Sequence, residues 1–181
     1  MVSSTMTAPL HQPFCLVPPP VAAPAGSRLT FIVFSGEMDR LQAAFTLATG
    51  AAACGIDVTM FFTFWGVTLL KTGTSNAKKS LVERLLGRLL PPGPDGAPLS
   101  RLHMGGLGRA LMTRQMRSKG IPALSELVAI ARESGIHFGI CESTMQMMGI
   151  DRSELMADID FDLCGVAHVW DQSNGGQVVF I

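Results

Sequence analysis

Apolar positions along this chain follow two rhythms. LTFIVFSG (29–36), IDVTMFFTF (56–64) and IHFGIC (136–141) are mostly apolar runs rich in β-branched and aromatic residues, and QVVFI (177–181) closes the chain in the same way. Runs of this kind predict strands buried on both faces. EMDRLQAAFTLATGAAACG (37–55) has acids in its first turn and glycine at its end, and PALSELVAIARESG (122–135) opens on proline and ends on glycine. Both read as helices. KSLVERLLGRLLPP (79–92) puts leucines on one face, pairs Ser80 with Glu83 at capping-box spacing and stops at a double proline, which predicts a basic amphipathic helix. WGVTLLKTG (65–73) reads as a short helix, PPGPDGAPLS (91–100) as a loop and GLGRALMTRQMRSKGI (106–121) as partly helical. Ser143 with Gln146 predicts a capping box that starts a short helix over TMQMMG (144–149), and Asp151 with Glu154 predicts another over DRSELMADID (151–160). The alternation implies an α/β fold, a single-domain open sheet of four or five mainly parallel strands with helices on both faces, in three layers over 28–181. The proline-rich stretch 1–27 is expected to be a disordered arm, and about 71–119 a basic, Met-rich insertion.

Composition narrows this reading. A chain of 181 residues that is 48% hydrophobic suits one well-cored domain. Fourteen Lys+Arg balance fourteen Asp+Glu, so net charge points to no nucleic-acid partner. The charge is nevertheless segregated: 71–119 holds ten basic residues against Glu83 and Asp95. A basic segment of that kind offers a peripheral contact with membrane or acidic partners as one alternative role. The arm lacks the basic start and unbroken apolar run of a signal peptide. Between Arg40 and Lys71 the only charge is Asp57, yet Gly50, Gly55 and Asp57 punctuate the segment and each half falls short of the roughly 20 residues of a spanning helix.

Four cysteines (15, 54, 141 and 164) form no CxxC pair and no zinc spacing, which fits a reducing cytoplasm and a chain with neither metal nor cofactor. Cys141 ends the third strand just before a helix. Free backbone N–H groups there favour thiolate over thiol, so Cys141 is the candidate reactive group. His137 shares its strand face but lies roughly 13 Å away along the strand, too far for a Cys–His pair, and is expected at the surface. Glu142 reads as a helix-start acid. Cys164 follows acids at 158, 160 and 162, which raise its pKa; packing is its expected role, with a relay thiol as the alternative if the fold brings it near Cys141. Cys54, at a helix end, is expected to be structural. HMGGLGR (103–109) lacks the lysine and hydroxyl of a phosphate loop and follows no predicted strand, and the methionines are expected to fill the core or line adaptable surfaces.

The stretch SGEMDRLQAAFTLATGAAACGIDVTMFFTFWG, together with PLSRLHMGGLG, PALSELVAIA and C-x-x-x-M-x-x-MGI, resembles the longer, Met-rich branch of the DsrE/DsrF-like sulfur-relay family over about 28–181. The resemblance implies a sulfur carrier or sulfurtransferase-like protein in which a strand-end cysteine, matched here by Cys141, takes a persulfide from a donor protein and passes it to an acceptor. It also implies a trimer or hexamer and, less directly, a second thiol at Cys164. Ser143, Thr144 and Gln146 stand where the family pattern has methionine, serine and aspartate; with Met145 they form the expected binding segment, and Met147 and Met148 extend it as a flexible rim. A non-catalytic oligomeric scaffold of the same fold is the other alternative.

Overall fold

The computed structural model describes residues 26–73, 79–81, 83, 85, 92–102 and 104–181. Strand β1 (Arg28–Val33) leads through α1 (Met38–Ala53) to β2 (Asp57–Phe62) and a 3-10 helix at Phe64–Leu70. A turn at Met104–Gly106 starts α2 (Leu107–Ser118), followed by α3 (Leu124–Glu133), β3 (His137–Cys141), α4 (Glu142–Met148), a 3-10 turn at Arg152–Glu154, β4 (Asp162–Cys164), α5 (Val166–Ser173) and β5 (Gln177–Phe180). The five strands lie in the order β4-β3-β2-β1-β5, with every neighbouring pair parallel.

Strand order dictates the layers. From β1 to β4 the chain steps in one direction, so right-handed crossovers put α1 and α3 on one face; the jump back from β4 to β5 puts α5 on the other. The alternating positions Phe31, Val33, Met60, Phe62, Phe138 and Ile140 face the first layer. There they meet Leu41, Phe45 and Ala48 of α1 at helical spacing and Leu127, Val128 and Ala131 of α3. Phe62 and Phe138 stack with ring centroids 5.8 Å apart. The opposite positions Ile32, Phe61, Cys141 and Cys164 form a smaller cluster with Val169 of α5.

Two glycines fix how β1 and β2 end. A side chain on Gly66 would place its Cβ 2.1 Å from the Val33 carbonyl oxygen, and one on Gly36 would come 2.7 Å from that of Trp65. These glycines let the two chain exits cross in contact, where Gly66 donates its N–H to Phe34 O and Thr63 to Val33 O, both at 3.0 Å. The glycines of SGEMD and FFTFWG are therefore steric requirements of the carboxyl edge.

The four strands and main helices expected from the sequence are present, and the 65–73 helix is the 3-10 helix at Phe64–Leu70. Several local expectations need correction. β4 and α5 went unrecognised: β4 has three residues, two of them exposed, and α5 buries only Val169 and Ser173. Ser143 and Gln146 form no capping box, because α4 starts at Glu142 with Cys141 itself at the N-cap and Gln146 bonds Glu142 (3.3 Å). Asp151 caps its turn by accepting from Ser153 N–H (2.9 Å), but Glu154 turns inward and its segment makes one 3-10 turn, because its carboxylate meets two lysines. The Ser80–Glu83 capping box is present, with Ser80 N–H donating to Glu83 (2.6 Å) and Glu83 N–H to Ser80 Oγ (3.3 Å). Residues 82, 84 and 86–91 of the predicted 79–92 helix, His103 and nearly all of the 1–27 arm, Cys15 included, lie outside the described residues.

The 71–119 segment is anchored by charge. Lys71 and Glu154 are each about 1% exposed and 3.7 Å apart, and Lys79 ion-pairs with the same carboxylate. Burial holds the Lys71 pKa below the ordinary lysine value although Glu154 opposes that shift. Among the described residues no helix is long and apolar enough to cross a membrane.

Candidate functional site at Cys141

Three elements converge on the Cys141 thiol. β3 carries it to the carboxyl edge of the sheet, and α4 begins immediately, so the N–H groups of Ser143 and Thr144 turn back toward the sulfur. β2, the neighbouring strand, ends at Phe62, and Thr63 follows it directly. The Thr144 hydroxyl and N–H, the Thr63 hydroxyl and the Ser143 N–H surround the sulfur as hydrogen-bonding groups that lower its pKa. The two hydroxyls are themselves 3.1 Å apart, and Phe64 N–H donates to Thr144 Oγ1 (3.2 Å). Phe64 has φ +47°, an unusual value for a bulky residue.

These bonds decide the charge. Burial, with Cys141 only 7% exposed, raises the thiol pKa, but the donors outweigh it and the thiol titrates below its ordinary value. A sulfur held by two hydroxyls and two amides is prepared to carry negative charge.

Cys164 sits beside Cys141 as its direct partner in the β3–β4 register. Both are free thiols, and both face the α5 layer. Its pKa is raised by burial, then by Asp162 and by Cys141 itself. The Cys164 sulfur fills the space left by Gly139, where a Cβ would be 3.2 Å away. It also lines a cavity of about 70 Å³ with His137 and His168.

Of the other expected residues, Thr144, Met145 and Met148 are buried, whereas Ser143, Gln146 and Met147 are exposed. Met145, Gln146 and Glu142 border a groove of about 350 Å³ that also reaches Lys79 and Arg152. His137 is at the surface, 3.7 Å from Asp57. Cys54 ends α1, far in the chain from this cluster. Thr63 escaped the sequence reading. Its signal was a lone hydroxyl inside FFTFWG, which gains meaning only once β2 and β3 are known to be neighbours.

With this geometry in view, comparison with known proteins places the chain. The model of the DsrE/DsrF/DrsH-like family matches residues 26–181. The chain belongs to that family. It is 35% identical over 156 residues to the uncharacterized protein YrkE of Bacillus subtilis, covering 85% of this chain and 96% of that one. It is 30% identical over 141 residues to the sulfur carrier protein DsrE2 of Allochromatium vinosum, covering 74% and 86%. Among solved structures it resembles a protein of unknown function, MTH1491 from Methanobacterium thermoautotrophicum, with a TM-score of 0.50, 14% identity and 86% and 99% coverage, a likeness of fold. Family membership and the parallel five-stranded α/β sheet agree with the resemblance drawn from SGEMD, FFTFWG and CESTMQMMGI.

Proposed function

We propose that this protein is an intracellular sulfur carrier whose Cys141 accepts a sulfane sulfur from a donor protein, holds it as a persulfide and yields it to an acceptor protein. The observation that carries the reading is the ring of donors around the Cys141 sulfur, from Thr144, Thr63 and Ser143. A persulfide is anionic near neutral pH, and hydroxyl and amide donors at a water-poor position stabilise such an anion without reorganising. Family membership and the likeness to a protein described as a sulfur carrier support the same reading. The exposed Met147 and the groove along α4 give a protein partner a place to seat.

The test is intact mass after incubation with a low-molecular-weight persulfide. A gain of about 32 Da, one sulfur atom, is expected on the Cys141 peptide, and Cys141→Ser should lose it while keeping its fold. A native protein that never loads would leave only the scaffold role. Assembly forms part of the proposal: Leu102, Met104, Leu107, Leu111 and Met112 expose an apolar surface at and before α2, which a second copy would cover. Light scattering at micromolar concentration should exceed the 19.3 kDa of a monomer.

A further inference from the structure

Two free thiols standing side by side on neighbouring strands need an explanation that packing alone does not provide. Cys141 and Cys164 are register partners in a parallel pair, on the same face of the sheet. Neighbouring strands lie about 4.8 Å apart, inside the Cα separation of about 4.4–6.8 Å that a disulfide requires. Closing the bond needs the Cβ atoms to approach a little further. β4 can supply that movement, since it is a three-residue strand at the sheet edge, paired on one side only and followed by Gly165, around which nothing crowds. The cavity of about 70 Å³ beside Cys164 leaves its sulfur room to swing out of the Gly139 notch.

We propose that Cys164 is a discharge thiol: when no acceptor collects the sulfur on Cys141, Cys164 attacks the Cys141 Sγ, expels the outer sulfur as hydrosulfide and closes a Cys141–Cys164 disulfide. This rests on the carrier reading. The step balances without an outside oxidant. The persulfide anion Cys141–S–S⁻ and the Cys164 thiol become Cys141–S–S–Cys164 and HS⁻, the thiol proton passing to the departing sulfur; the inner Sγ–S bond breaks, the new Sγ–Sγ bond forms, and the sulfane sulfur is reduced to sulfide as the two cysteines are oxidised. The donors from Thr63, Thr144 and Ser143 act on the Cys141 Sγ, which is the inner sulfur of the persulfide and belongs to the residue paired with Cys164 on β4. Burial and Asp162 keep Cys164 a thiol, so the attacking thiolate is scarce and discharge is slow, giving an acceptor first claim. The disulfide also blocks reloading until a small thiol reduces it.

The experiment loads the full chain with cysteine persulfide, removes the donor by gel filtration and follows intact mass and free sulfide with no acceptor present. The native protein should lose its adduct to a species about 2 Da lighter than the reduced protein, with one sulfide released per disulfide and a Cys141–Cys164 cross-link in the peptide map. Cys164→Ser and Cys164→Ala should load equally and keep the adduct at least about tenfold longer. Loading without discharge, loss from both variants at the native rate, or an adduct that migrates intact to Cys164 overturns the discharge role and leaves the carrier reading standing. Failure of the native protein to load overturns both, and the two failures are told apart in the first mass spectrum.

Discussion

At Cys141 a single hydroxyl decides between thiol and thiolate. Burial and hydrogen bonding act in opposite directions on this sulfur, and Thr144 is the largest source of the bonding. Thr144→Val keeps the shape and removes the hydroxyl. The Cys141 pKa should then rise, and alkylation at neutral pH should slow by about tenfold as the thiolate population falls. Thr63→Val should act in the same direction and less. Rates of iodoacetamide labelling against pH, resolved by peptide, check both, and Cys141 should react faster than Cys164 in the native protein. Equal titration curves for the native and Thr144→Val proteins would break the link between these donors and the thiolate. Much of this was legible in the sequence: a cysteine between an apolar strand and a helix predicts a favoured thiolate wherever the helix begins. Its exact cap was not, because Cys141 makes no side-chain cap bond and Ser143-x-x-Gln146 imitates a capping box inside the helix.

Secondary-structure elements transmit their constraints to that sulfur. Gly66 lies three residues beyond Thr63, and its bare Cα is what lets the 3-10 helix pass over the end of β1. Gly66→Ala would set a methyl 2.1 Å from the Val33 carbonyl, a backbone clash that no rotamer relieves. We expect a loss of about 3 kcal/mol or more in urea unfolding, together with a raised Cys141 pKa as Thr63 and Phe64 move. Gly50→Ala, in open space on α1, serves as the control and should be neutral or slightly stabilising. The central strands could be read because they are apolar on both faces. β4 could not: Asp162-Leu163-Cys164 has no alternation, and it pairs with a strand twenty residues earlier through contacts that no local window contains. The adjacency of the two thiols was hidden for the same reason.

Across the whole molecule, one buried carboxylate ties the basic middle of the chain to the rest of the domain. Glu154 ion-pairs with both Lys71 and Lys79, and its Glu154→Gln variant would leave Lys71 buried without that counter-charge. A loss of about 3–5 kcal/mol is expected, as for other broken buried pairs, measured by chemical denaturation at pH 7. The pH response has a definite sign. Lys71 binds its proton less tightly folded than unfolded, so the unfolded chain carries more protons and its contribution makes stability rise with pH as the folded lysine deprotonates. Lys71→Met should abolish that component of the slope. The segregated charge at 71–119 was plain in the sequence, but its inward anchoring was not, since a lysine and a glutamate separated by more than eighty residues give no spacing signal.

The notch at Gly139 has a consequence for how this chain tolerates change. The space that houses the second thiol exists only because position 139 lacks a side chain; a methyl there would press on the Cys164 sulfur at 3.2 Å and the Phe61 ring at 3.3 Å. Gly139 and Cys164 therefore form one unit of inheritance: alanine at 139 should be more harmful beside cysteine at 164 than beside glycine there, where only the Phe61 contact remains. A scan of single substitutions would score the first as a packing residue and the second as replaceable, whereas the paired library would show each residue setting the terms on which the other can vary.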